Sequence, residues 1–343
     1  MRVLVLKEYG LLAVESRPDP TPSDDEVVIR IFATGICGSD IHGFTGENGR
    51  RFPGQIMGHE SVGRIDALGR GAERFGLALG DLATFNPVIV PIEDTITFKG
   101  REQHSPKKRV IGVDPDYVSG FAERVIVPAR NVVSLPPGIP PSHGALIEPL
   151  AVAFHAVGRA NVSPGDKVFV VGGGPIGQSI ILAALRNGAV EVVVSELDAS
   201  RRDLCESLGA TVLKREDASV ADRLWARWHS LADVGIDAVG ITATLREALL
   251  STRLGGNVCL VGMGSPELAI DAYRISTDER NLIGSFTYST ADFRDAAAWV
   301  STGEVNIQAL IGREVPMEQA NDAFAGLARM DRAAGKVLVR LDQ

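Results

Sequence analysis

The chain has 343 residues, with 35 basic and 43 acidic side chains and a formal net charge of −8. That length exceeds the roughly 100–200 residues of an ordinary domain, so two domains are expected, and the acidic balance argues against nucleic acid, whose binders carry a basic face. A hydrophobic fraction of 45% can fill two cores, yet no stretch approaches the ~20 uninterrupted apolar residues of a membrane span.

The chain opens on a strand, Met1 to Lys7, which meets charge before a signal-length apolar region develops. Three scattered cysteines, Cys37, Cys205 and Cys259, give no disulfide framework, so a reducing cytoplasm is the expected setting. Up to about Pro140 the pattern is short β-rich runs between Gly, Pro and Asp: Val27 to Ile31, Ser61 to Ile65, Ala122 to Val127. Such spacing predicts a barrel-like β domain. The basic run Lys107-Lys108-Arg109 reads as a solvated turn. The rigid segment from Pro136 to Pro141 sits where a domain boundary is wanted, near residues 140–155.

From Pro164 to about Phe286 strands alternate with helical stretches, the signature of βαβ units on a parallel sheet. Helical runs at Ala291 to Ser301 and Met317 to Met330 follow, and the chain closes on the strand Lys336 to Arg340, which is expected to return to the first domain.

Directly after the strand Lys167 to Val171 comes Gly172-Gly173-Gly174-Pro175-Ile176-Gly177, a G-x-G-x-x-G turn opening a predicted helix from Ile176 to Asn187. Gly172 permits the tight turn, Gly174 lets the backbone approach a pyrophosphate, and Gly177 lets the helix lie close on the strand, while the helix start at Pro175 and Ile176 offers unpaired N–H groups, from Ile176 onward, to phosphate oxygens. The next strand, Glu191 to Ser195, ends at Glu196, where an acid can bind the ribose hydroxyls and repel a 2′-phosphate. NAD is therefore expected over NADP, with Arg201 and Arg202 able to soften that preference or stack on adenine.

A second constellation lies in the first domain. Cys37-Gly38-Ser39-Asp40-Ile41-His42 places a thiol, a hydroxyl and an imidazole within six residues, Gly58-His59-Glu60 follows, and Glu148-Pro149 adds an acid at the boundary. Singly, each has an ordinary structural explanation. Together, beside a dinucleotide turn, they point to a zinc that binds an alcohol oxygen through an open position.

These motifs, in the order Gly35-Ile36-Cys37-Gly38-Ser39-Asp40-Ile41-His42, Gly58 to Gly63, Gly80-Asp81, Ile147-Glu148-Pro149-Leu150 and the glycine turn, resemble the zinc-dependent medium-chain dehydrogenase/reductase superfamily, in its sorbitol, polyol and threonine dehydrogenase branch, from end to end. The resemblance implies an α/β architecture: a GroES-like β-barrel catalytic domain, 1–150 completed by 290–343, and a Rossmann doubly wound parallel sheet, 151–289. It implies zinc ligands at Cys37, His59 and Glu148, with Glu60 alternating with water, a substrate contact at Ser39 and a proton relay through His42. It implies one catalytic zinc per subunit, NAD, a small-molecule alcohol or polyol as substrate, and a homodimer or homotetramer joined through the sheet edge near Leu260 to Ile275.

One departure stands out. The four cysteine positions of the structural zinc lobe found in many relatives fall on Pro91, Asp94, Thr97 and Ser105, none of which is a thiolate. The lobe is expected to bind no zinc and to be held by Ile89, Val90, Ile92, Ile96, Phe98 and Ile111, or to remain mobile. The substrate pocket is the least legible part; Phe52, Phe286 and Tyr288 are equally placed to wall it or to fill a core. Two other readings compete: a zinc-free NADPH quinone or enone reductase of the same superfamily, and a noncatalytic NAD-binding protein.

Overall fold

A computed structural model describes the whole chain except Asn48, residues 214–217, Glu304, residues 330–332 and Gln343. The chain divides into two compact units, 1–148 with 289–343, and 149–288. The division falls inside a helix, Ile147–Arg159, rather than at the proline-rich segment, which leads through the 3-10 turn Pro141–Leu146 into that helix. Pro149 is tolerated there because a first-turn residue has no intrahelical N–H partner to lose.

In the first unit the ten-residue strand Glu26–Gly35 is central. It pairs antiparallel with Glu60–Leu68, Arg124–Pro128 and the C-terminal strand Lys336–Arg340. Leu82–Phe85 and Val132–Ser134 extend the sheet on one side and Ile311–Pro316 on the other. Two register shifts, at Val28/Ile29 and Ile31/Ala33, break its ladder with Glu60–Leu68, and such bulges bend and twist strands toward a barrel. Val27, Ile29 and Ile31 alternate into a core with Phe85, Phe121, Val125, Phe324, Val337 and Val339.

The register decides what meets at the strand end. Gly35 pairs with Glu60 on one side and with Leu338 on the other, and the Ile36 N–H donates to the Val337 carbonyl at 2.9 Å. Cys37, Glu60 and Lys336 are thereby gathered from three distant parts of the chain. The segment expected as one helix from Met317 is a 3-10 turn, Met317–Gln319, followed by the helix Ala320–Ala328; Met330 lies outside the described residues.

The second unit is a six-stranded, all-parallel sheet. Its strand order is Thr211–Leu213, Glu191–Ser195, Lys167–Val171, Ala232–Asp237, Thr252–Leu260, Asn281–Gly284. Numbered by appearance this is 3-2-1-4-5-6, the Rossmann order, with the switch point beside Lys167–Val171. The expected edge near Leu260 to Ile275 is not an edge: Asn281–Gly284 pairs outside Thr252–Leu260. Among the described residues no helix is long and apolar enough to cross a membrane.

Candidate active site

Cys37 directly precedes the helix Gly38–Thr45, at the end of the central strand. His59 and Glu60 open the neighbouring strand, and one donor atom from each of Cys37, His59 and Glu60 lies within 4.8 Å of the others. Donors around a tetrahedral zinc, with bonds of about 2.0–2.3 Å, stand roughly 3.6 Å apart, so this trio needs only a small contraction to share one ion. The side chain of Glu60 is sealed from solvent, folded against Gly35, where an added Cβ would lie 2.1 Å from Glu60 Oε2. Only glycine fits opposite that carboxylate.

The donor chemistry is equally telling. Desolvation and the Glu60 charge push the Cys37 thiol up to about 11, while Lys336 and a hydrogen bond from Ser39 work the other way. A divalent cation at the trio would reverse that balance, since coordination deprotonates a thiol outright. Glu60 Oε2 is buried with no hydrogen-bond partner. A thiol, an imidazole and a carboxylate that converge beside this unsatisfied oxygen fit a zinc ion.

Two residues that the sequence reading left without a role support the trio. Asp40 accepts the Cys37 backbone N–H through Oδ2 at 3.1 Å, and its Oδ1 lies 3.6 Å from His59 Nδ1. With Nδ1 facing a carboxylate, Nε2 is left for a metal, the arrangement that fixes ring tautomer and orientation in many zinc sites. Lys336 Nζ donates to Glu60 Oε1 at 2.6 Å. Burial opposes its charge, but Glu60, Cys37 and Glu148 outweigh burial and leave the ammonium above the ordinary lysine value.

Glu148 is buried at the start of its helix and acts electrostatically on Lys336, but it is not one of the trio within 4.8 Å. Ser39 and His42 are three residues apart on the helix that Cys37 begins, and so share a face. The His42 side chain is 40% exposed, with Nδ1 3.1 Å from Glu47 Oε2.

In the second unit the glycine turn joins Lys167–Val171 to the helix Pro175–Arg186. Gly172 has φ +94°, and a Cβ on Gly177 would lie 1.9 Å from the Gly172 carbonyl oxygen, so helix and strand end are in backbone contact. Pro175 occupies the first helical turn, where it sacrifices no hydrogen bond. Glu196 Oε2 accepts the Gly173 N–H and Oε1 the Asp198 N–H, each at 2.7 Å. Arg201 reaches over Gly174, with Nη1 3.5 Å from where a Cβ would stand. Arg202 is tied to the carbonyls of Glu196 and Leu197.

The lobe departs from its expected packing. Ile89, Val90 and Ile111 are buried, but Ile92 and Ile96 are 65% and 77% exposed. The six-residue helix Ile92–Thr97 turns Asp94 inward instead, and Ser105 Oγ donates to Asp94 Oδ2 at 2.5 Å. Lys107 N–H donates to the same hydroxyl, and Glu102 accepts the Thr290 N–H at the start of the helix Thr290–Thr302. Two of the four positions expected to stand in place of structural-zinc cysteines thus meet through a hydrogen bond. Of the three aromatics, Tyr288 is core, whereas Phe52 and Phe286 are about half exposed.

Rossmann order and a glycine turn at the end of its first strand define a dinucleotide-binding fold, and the trio in the first unit fits a metal ion. Comparison with known proteins agrees. Residues 23–137 match the alcohol dehydrogenase GroES-like domain, and residues 175–302 match the zinc-binding dehydrogenase family. The chain is 30% identical to sorbitol dehydrogenase from Gallus gallus, covering 99% of this chain and 96% of that one. It is 32% identical to a protein described as probable D-xylulose reductase A from Emericella nidulans, covering 93% and 91%. It superposes on galactitol-1-phosphate dehydrogenase from Escherichia coli with a TM-score of 0.89 at 27% identity, covering 99% and 100%. The chain belongs to the zinc-dependent medium-chain dehydrogenase/reductase superfamily, and within it is an alcohol or polyol dehydrogenase.

Proposed function

We propose that the protein oxidises a secondary alcohol or polyol to the ketone with NAD, and reverses that reaction, using one zinc per subunit held by residues drawn from Cys37, His59, Glu60 and Glu148. The observation that carries this reading is the approach of half-buried Cys37 and buried His59 and Glu60 to within 4.8 Å. When bound, zinc supplies a Lewis acid for the substrate oxygen and nicotinamide a hydride acceptor.

The chain's own residues supply positioning and a proton path. Asp40 orients His59 and pins the Cys37 backbone. Ser39, hydrogen-bonding toward the Cys37 sulfur, accepts the substrate hydroxyl proton, and His42, one turn along the same face and partly exposed, passes it to solvent. Glu196 favours NAD, since its carboxylate, fixed by two backbone N–H groups, repels a 2′-phosphate. Small-molecule substrates, a homodimer or homotetramer and a cytoplasmic setting complete the reading.

A panel of polyols, sugar acids, threonine and simple secondary alcohols, assayed with NAD and NADP and with metal content determined on the same sample, tests it. Chelator-sensitive NAD reduction by a polyol subset at one zinc per chain is expected. Turnover that survives complete removal of zinc would overturn the metal's role, and a preference for NADP would overturn that of Glu196.

A further inference from the structure

Arg51 is the largest side chain sealed from solvent among the described residues, at 1% exposure. A guanidinium does not lose its proton, so a buried one must be paired or it destabilises the fold. Its acidic neighbour is Asp40: Nη2 lies 3.7 Å from Oδ1. That oxygen is the one that also faces His59 Nδ1 at 3.6 Å. Arg51 Nε and Nη2, Asp40 Oδ1 and His59 Nδ1 are all buried and without hydrogen-bond partners among the described residues. Buried polar atoms are seldom left unsatisfied, and here they converge on a single carboxylate oxygen.

The packing shows that this placement is built. The Arg51 stem crosses the helix Gly38–Thr45 at Gly43, where a Cβ would stand 2.3 Å from Arg51 Cγ and 2.9 Å from its Cβ. The Arg51 carbonyl accepts the Tyr9 hydroxyl at 3.2 Å. A second buried cation at this centre, Lys336, is committed to Glu60, so Asp40 and Glu60 each have a buried cation beside them.

We infer that Arg51 is a positioning residue for the metal centre: it holds the Asp40 carboxylate in place, and Asp40 in turn fixes the His59 ring and the Cys37 backbone. The inference rests on the reading that Cys37, His59 and Glu60 hold zinc. Arg51 acts through Asp40 and touches no reacting atom. Its effect belongs to metal affinity and ligand geometry, and partners of this kind typically contribute 10–100-fold in affinity.

The test measures zinc dissociation constants by chelator competition on the full chain, with the visible spectrum of the cobalt-substituted protein as a record of ligand geometry. Arg51→Met is expected to weaken zinc binding about 10–100-fold and to alter the cobalt–thiolate bands. Gly43→Ala, which displaces the Arg51 stem without touching a ligand, is expected to shift both readouts in the same direction, and Arg51→Lys to restore most of the affinity. In an Asp40→Asn background Arg51→Met is expected to add no further loss. If Arg51→Met does not fold, Arg51→Lys takes its place, with a smaller loss that vanishes in Asp40→Asn. Unchanged affinity and cobalt spectrum in the arginine variants, or a loss of equal size with and without Asp40, would overturn the inference. Cys37→Ala separates the two levels: if it binds zinc as wild type does, the ligand reading fails and the inference with it, whereas if it abolishes binding while the arginine variants change nothing, only the role of Arg51 fails.

Discussion

Lys336 Nζ lies 2.6 Å from Glu60 Oε1, an ion pair sealed from solvent between residues 276 positions apart. Removing one partner of a buried pair strands the other charge, at a cost of about 3–5 kcal/mol. Lys336→Met is therefore expected to destabilise the zinc-free protein strongly and the zinc-loaded protein less, because a divalent ion beside Glu60 supplies the missing counter-charge. Denaturant unfolding of both forms checks this. Equal losses in the two would show that Glu60 is not coupled to the metal.

Glu196 is the second group whose geometry makes a quantitative claim. Both its oxygens accept backbone N–H groups, from Gly173 in the turn and Asp198 beyond the strand. A ribose hydroxyl donating to the carboxylate held in this way would form a hydrogen bond to a charged group, worth about 1.5–3 kcal/mol, so Glu196→Ala should weaken NAD binding by roughly ten- to a hundredfold and narrow the gap to NADP. Fluorescence titration with the two reduced cofactors gives both numbers. Unaltered discrimination would remove Glu196 from cofactor choice.

What was legible in the sequence follows from how local the determinants are. The dinucleotide turn could be read because strand, glycines, helix and acid lie in one run from Lys167 to Glu196. Cys37, His59 and Glu60 could be read because each sits in a short glycine-flanked motif. Lys336 could not, since its contact with Glu60 depends on the pairing of Gly35 with both Glu60 and Leu338, which no local pattern encodes. Arg51 could not be read for the same reason: in the polar, glycine-rich run from Gly46 to Gly54 nothing sets it apart from its neighbour Arg50. Ile92 and Ile96 misled because hydrophobicity does not say which face of a six-residue helix turns inward, and here buried Asp94 takes that face.

The lobe can then be tested on its own. Asp94 and Ser105, both buried, meet at 2.5 Å, and a buried acceptor left unsatisfied costs about 1–3 kcal/mol. Ser105→Ala should accordingly raise hydrogen exchange across residues 88–116 while leaving exchange in residues 149–288 unchanged. Chelation should leave protection of the lobe as it was, with one zinc per chain in the untreated protein. A second tightly bound zinc, or a lobe that loosens on chelation, would contradict the hydrogen-bonded closure.

Glu247 gives the stability of the second unit a pH dependence of defined sign. Burial raises its carboxyl above the ordinary glutamate value, with the nearby Asp237 charge adding to burial and a hydrogen bond with Ser195 opposing it. The folded state therefore binds more protons than the unfolded one between the ordinary glutamate value and the raised folded value, and across that window stability falls as pH rises. On the acid side the group is neutral in both states and costs nothing; above the window it is ionised in a site that disfavours charge. Glu247→Gln removes the titration and keeps the shape. Its melting temperature minus that of wild type should be smallest at acid pH and should climb as pH rises through the window, then level off. Thermal unfolding at stepped pH measures this difference directly, and a difference that stays flat with pH would mean that Glu247 is ionised as easily in the folded chain as in the unfolded one.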